Sequence, residues 1–146
     1  MWFKSRSTIP SLAAISFCLI GGTTPAYADV GDQLFKLLAN DGAAGDNFGW
    51  SVAISPDAIG AIVGAYRDDD NGNNSGSAYL FDTTTGQQIA KLLADDGEAS
   101  DWFGVSVGIS GSTAIVGALR DGDNGGNSGS AYLFVPDFPD GVLLMV

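Results

Sequence analysis

Two acid-rich segments hold the residues best suited to chemistry. They are Asp68-Asp69-Asp70-Asn71-Gly72-Asn73-Asn74 and its near-copy Asp121-Gly122-Asp123-Asn124-Gly125-Gly126-Asn127. A hard cation such as Ca²⁺ takes ~6–8 oxygen ligands, and alternating Asp and Asn with turn-forming glycines can supply them. Asp68, Asp70 and Asn74 have that spacing, as do Asp121, Asp123 and Asn127, with backbone carbonyls filling in. The fifth position of an EF-hand-like pattern falls on Gly72 or Gly125, which bring no side chain. Asp, Asn and Gly also build turns by local hydrogen bonding without any metal. Calcium sites, of the weak ~10⁻⁴–10⁻³ M extracellular kind, and pure turns are therefore both open. A second pair of acidic loops runs from Asp41 to Asp46 and from Asp96 to Asp101. Asp41, Asp46, Asp96 and Asp101 are candidates for a ligand-binding rim, and Asp46 or Asp101 could complete a cation shell.

Other chemistry is poorly served. The chain has no histidine, which removes Ser-His relays and most zinc sites. Paired Asp residues could in principle attack a sugar, but none sits in an evident apolar pocket that would raise its pKa. No catalytic residues are assigned, and the chain reads as non-enzymatic. With 17 acidic and 6 basic side chains, the surface repels nucleic acid and anionic lipid. Glu98 is the only Glu; the other acids are Asp, as expected of turns. Trp50 and Trp102 are candidates for stacking on sugars or for core packing. Lys36 and Lys91 read as solvated edge charges that discourage stray strand pairing.

Residues 1–28 have the form of a signal peptide. Lys4 and Arg6 precede the nine-residue apolar run Leu12–Ile20, and Ala26-Tyr27-Ala28 offers a small-x-small cleavage pattern. Nine residues are too few for a bilayer that needs ~20. Cleavage takes the net charge from −11 to −13 by removing Lys4 and Arg6. It also removes Cys18, so an oxidising compartment brings no disulfide. The expectation is an exported chain, secreted, periplasmic or on the cell surface, with no membrane span after cleavage.

The elements that must position the acids come from a repeat in residues 29–146. Lys36-Leu37-Leu38-Ala39 returns as Lys91-Leu92-Leu93-Ala94, and Phe48-Gly49 as Phe103-Gly104, both at an offset of 55. Ala61–Ala65 returns at Ala114–Ala118, and Asn74–Phe81 at Asn127–Phe134, both at 53. Repeat 1 covers about 36–90 and repeat 2 about 91–146. Trp50, Val52 and Ile54 alternate with smaller residues, as do Val105, Val107 and Ile109, which argues a pleated strand. Ala58–Tyr66 and its copy are apolar on both faces, as a doubly covered strand must be. Gly76–Phe81 and Gln87–Ala94 read as third and fourth strands. Leu34–Ala39 is a leftover fourth strand at the start, and Val142–Val146 a candidate fourth strand at the end, about nine in all. Antiparallel connectivity puts both kinds of acidic loop on one rim.

Four short antiparallel strands per unit, apolar on both faces, describe a propeller blade; a two-sheet sandwich is the competing arrangement. The expected fold is all-β, two four-stranded antiparallel blades forming a partial β-propeller. Phe48-Gly49 before a strand and then Ile62-Val63-Gly64-Ala65, repeated as Phe103-Gly104 and Ile115-Val116-Gly117-Ala118, resemble an FG-GAP repeat. This is the blade of integrin α-subunit propellers and of many exported bacterial proteins. The resemblance implies a binding or adhesion module for an extracellular protein or glycan. Two positions depart from the family: its proline after Gly-Ala is Tyr66 and Leu119 here. Its calcium loop between the first two strands is replaced by the plain turns Ser55–Gly60 and Ser110–Thr113, so that site does not carry over. Propellers need ~4–8 blades, so self-assembly or further blades would be required. A structural fragment or subunit of a larger array is the alternative function.

Overall fold

The computed structural model describes residues 30–56 and 60–135; the signal-peptide reading and the candidate strand at 142–146 lie outside them. The compact unit that begins at Gln33 holds seven strands. These are β1 (Ser51–Ile54), β2 (Gly60–Ala65), β3 (Ser77–Asp82), β4 (Gln88–Leu92), β5 (Phe103–Ser110), β6 (Thr113–Ala118) and β7 (Ser130–Phe134). They form two antiparallel sheets, β1-β2-β3-β4 and β5-β6-β7, each pairing strands in chain order. The described residues contain no helix. The chain is all-β, with two propeller-type blades. Among the described residues the first has four strands and the second three.

The two blades follow equivalent registers. Ile62 pairs with Leu80 and Val63 with Tyr79 in the first, and Ile115 with Leu133 and Val116 with Tyr132 in the second. β4 carries Lys91, the start of the second sequence repeat, yet completes the first sheet. Its earlier copy behaves differently. Leu34–Ala39, expected as a strand, joins no ladder. It lays Leu37 and Ala39 on the outer face of the first sheet instead. The sequence is strand-competent, but no described sheet edge lies beside it to satisfy its backbone.

Alternation decides which side chains reach which core. Ile62, Ala78 and Leu80 point from the first sheet toward the second and meet Phe103, Val116 and Ala118. Ala61, Val63, Ala65, Tyr79 and Phe81 point the other way and are covered by Leu37, Ala39 and Phe48. β2 is consequently buried along its whole length. Its copy β6 buries only alternate residues, because no described element covers its far face. The same asymmetry reaches the first strands. Val107 and Ile109 pack into the core between the sheets, whereas Val52 and Ile54 are exposed. Identical alternation is thus buried in one copy and wet in the other.

Phe103 is the main plug between the blades. It is fully buried and meets Tyr132 and Phe134 edge to face, with centroids 5.4 and 5.9 Å away. Truncation of a buried Phe leaves a cavity, and Phe103→Ala should cost about 3–5 kcal/mol. Phe48 makes the matching contacts with Tyr79 and Phe81 but is only half-buried. Phe48→Ala should therefore cost distinctly less when the two variants are compared by urea unfolding.

Candidate functional site

The acidic loops gather on one rim of the blades. Within each copy the loop before the first strand is tied to the loop after the second. The Arg67 N–H donates to the Asp46 carbonyl at 3.3 Å, and the Arg120 N–H to that of Asp101 at 3.0 Å. Across the blades, Ser100 and Phe103 N–H groups donate to the Asn73 and Ser75 carbonyls at 2.9 and 2.8 Å. One continuous hydrogen-bonded rim results.

Many of its carboxylates work as turn formers. Asp68 accepts the Asp70 N–H at 3.2 Å, and Asp121 accepts that of Asp123 at 2.9 Å. Asp46 and Asp101 are buried and cap their own loops, accepting from Ala43 and Glu98 N–H at 2.6 Å each. Asn74 and Asn127 take positive φ, 54° and 56°, a conformation Asn tolerates well. The Asn74 N–H donates to Asp69 at 2.6 Å.

Lys91 is the residue that sequence reasoning misplaced. It is not a solvated edge charge: its ammonium lies 2.7 Å from Asp41, 3.1 Å from Asp68 and 2.6 Å from Asp70. Cross-strand pairing with Tyr79 puts both side chains on one face, and the Tyr79 hydroxyl donates to Asp68 at 2.8 Å. Burial alone would push Asp68 up, but the Tyr79 hydroxyl and the Lys91 ammonium outweigh it and hold the carboxyl below its ordinary value. The Lys91 hydrogen bond does the same for Asp41. Burial would pull Lys91 down, yet its carboxylates raise it above the usual lysine range. Burial and the Asp68 carboxylate together raise Tyr79. A usable signal was present, since the four cations after residue 28 fall as two repeat-related pairs, Lys36/Lys91 and Arg67/Arg120.

The second copy lacks this cation. The Tyr132 hydroxyl lies 3.0 Å from Asp96 and 2.6 Å from Asp121, as Tyr79 does in the first copy with Asp68. Asp123 stands nearby, and the charges of Asp121 and Asp96 push its carboxyl above the ordinary value. Among the described residues no group of three or more acids is arranged to hold a metal ion. In the first cluster Lys91 takes the central place, so the residues there do not fit Ca²⁺. The structure thus brings Asp68 and Asp70 together, adds Asp41, and leaves Asn74 in its turn.

An aromatic strip accompanies the acids. Trp50 is 60% exposed and its ring lies tilted against Tyr66 with centroids 4.8 Å apart; Tyr66 in turn meets Trp102 at 5.2 Å. The Arg120 guanidinium lies 3.6 Å above the Trp102 ring. Trp102 adopts φ 60°, costly for a bulky residue, at the position where the first copy has Asn47. Neither tryptophan is a core residue.

Two stacked meander blades, a shared loop rim and an internal repeat define a propeller-type repeat protein. The FG-GAP repeat model matches residues 32–81 and 87–134, and the chain belongs to the FG-GAP repeat family. A comparison with curated proteins found no match.

Proposed function

We propose that the chain is an exported, non-enzymatic binding module whose rim meets an extracellular protein or glycan. The observation that carries this reading is the exposed Trp50 beside the acidic loops. An aromatic face offers apolar contact, and carboxylates accept hydrogen bonds from hydroxyl or cationic groups. The strained backbone of Trp102, held between Tyr66 and Arg120, supports a rim shaped for contact.

The test is a binding screen of the exported chain against extracellular glycans and proteins, followed by variants. Trp50→Ala should lose at least about ten-fold in affinity, as expected for an aromatic anchor, while its stability falls by less than about 1.5 kcal/mol. Asp95→Asn with Glu98→Gln, both exposed in the acidic loop ahead of β5, should weaken a cationic ligand and flatten its salt dependence. Binding unchanged in both variants, or absent throughout the screen, removes the rim from this role. A second reading, a subunit of a larger propeller, is favoured by the uncovered apolar faces of the two blades.

A further inference from the structure

The fourth-strand place in the second blade is prepared but has no occupant among the described residues. β3 carries β4 on its outer edge, whereas its copy β7 pairs only with β6. A groove of about 370 Å³ runs beside β7, lined by Leu93, Asp95, Asp96, Tyr132, Leu133 and Phe134. A strand edge of this kind is a template for another strand.

A matching strand exists in the same sequence. Gln33–Asp41 reads QLFKLLAND and Gln88–Asp96 reads QIAKLLADD, identical at Gln, Lys, Leu, Leu, Ala and the last Asp. The later copy forms β4; the earlier one joins no ladder and leaves Leu34 and Leu38 exposed. Its Leu37 and Ala39 nevertheless cover the first blade as Leu92 and Ala94 cover the second. It therefore lies where the fourth strand of a preceding blade would lie. The charges agree. Lys91 sits among Asp41, Asp68 and Asp70, and the equivalent Asp96, Asp121 and Asp123 have no lysine among them. Residues 142–146, Val-Leu-Leu-Met-Val, contain none to offer.

We propose that a second copy of the chain supplies this strand: Gln33–Ala39 of one copy adds antiparallel to β7 of another, and Lys36 enters the Asp96/Asp121/Asp123 cluster. This goes beyond the rim reading and does not depend on it. Transferring the β3–β4 register sets Lys36 opposite Tyr132 and Leu37 opposite Ala131. Main-chain pairing supplies affinity and the lysine supplies register. The faces brought together are those left wet. Ile115 and Leu133 are 46% and 70% exposed, where their copies Ile62 and Leu80 are 0% and 1%. The contact is head-to-tail, so it propagates until the rotation closes a ring. A ring of ~4–8 blades would take about two to four copies.

The test is molar mass by light scattering against concentration, in chelator and in millimolar calcium, on the exported chain and two variants. Lys36→Asp removes the donor charge and Asp123→Lys fills the acceptor; both positions are exposed in the free chain. The unaltered chain should form a discrete multimer in either buffer. Each variant alone should dissociate at least about ten-fold more readily, as expected for a lost close charge pair. Mixing the two variants should give a 1:1 pair, because one donates an intact Lys36 to the other's intact cluster. A monomer at all concentrations overturns the proposal, as does a multimer indifferent to Lys36→Asp. Assembly that requires calcium, or a mixture that fails to pair, overturns it too.

Discussion

Lys91→Met is expected to destabilise the folded chain by about 2–4 kcal/mol, in the lower part of the range for removing one partner of a buried ion pair because Lys91 is not fully buried. The cost arises from what stays behind. Asp41, Asp68 and Asp70 all lie within 3.1 Å of the ammonium, and Asp68 is buried with only neutral donors, the Tyr79 hydroxyl and the Asp70 N–H among them, left to offset it. The pH dependence should change sign. In the parent chain Asp41 and Asp68 titrate below their ordinary value. Their contribution is therefore present in full above about pH 4 and lost as pH falls through the depressed values. In the variant the clustered carboxylates repel and titrate high, so protonation relieves the folded state and stability rises as pH falls from 7 toward 5. Urea unfolding at pH 7, 5 and 4 reads both slopes. Parallel slopes, or a loss below about 0.5 kcal/mol, the level of an ordinary surface change, would show that the cluster is a solvated charge group.

Gly104→Ala is expected to cost about 2–5 kcal/mol, combining ~1–2 for a left-handed backbone with ~1–3 for overpacking. Gly104 has φ 85°, and a Cβ there would collide with the Ser77 carbonyl and crowd the Ala65 amide. Those atoms belong to the β3 and β2 ladders and cannot yield locally. The Ser51 hydroxyl also donates to the Gly104 carbonyl at 2.7 Å, fixing the approach of one blade to the other. Gly49 is the internal control. It has φ 91° but nothing within 4 Å of a built Cβ, so Gly49→Ala should cost only about 1–2 kcal/mol. The comparison belongs at low protein concentration, where copies stay apart. Equal losses would mean that backbone conformation, not blade contact, selects glycine at this position.

Much of the fold was legible because its signals are local. Alternation in Val105–Ile109, the doubly apolar Ala61–Ala65 and the Asp-Asn-Gly clusters each report on a neighbour or two along the chain, and the repeat reports them twice. The strand assigned to Leu34–Ala39 failed for the complementary reason. A sequence specifies competence for a ladder, but the ladder needs an edge alongside, and within the single chain the segment lies on the face of the first sheet, not at an edge.

The site was read less completely. Asp68 and Asp121 were found, but their partners were not, since Lys91 lies 23 residues from Asp68 and 50 from Asp41. Nothing local links these positions; register across β3 and β4 and the packing of the N-terminal segment bring them together. Trp50 and Trp102 were ambiguous for a related reason, because an aromatic residue at the start of a strand is core only if another layer covers it.

The sequence by itself determined the repeat, the order and pairing sense of the strands, and the segregation of acidic loops to one rim. Those properties follow from side-chain period and antiparallel connectivity, which are fixed within each unit. Only the tertiary structure decided which copy of each motif is buried, and which carboxylates hold a lysine and which face one another without it. Burial and charge pairing depend on what stands opposite, and in this chain the two copies of one sequence stand opposite different things.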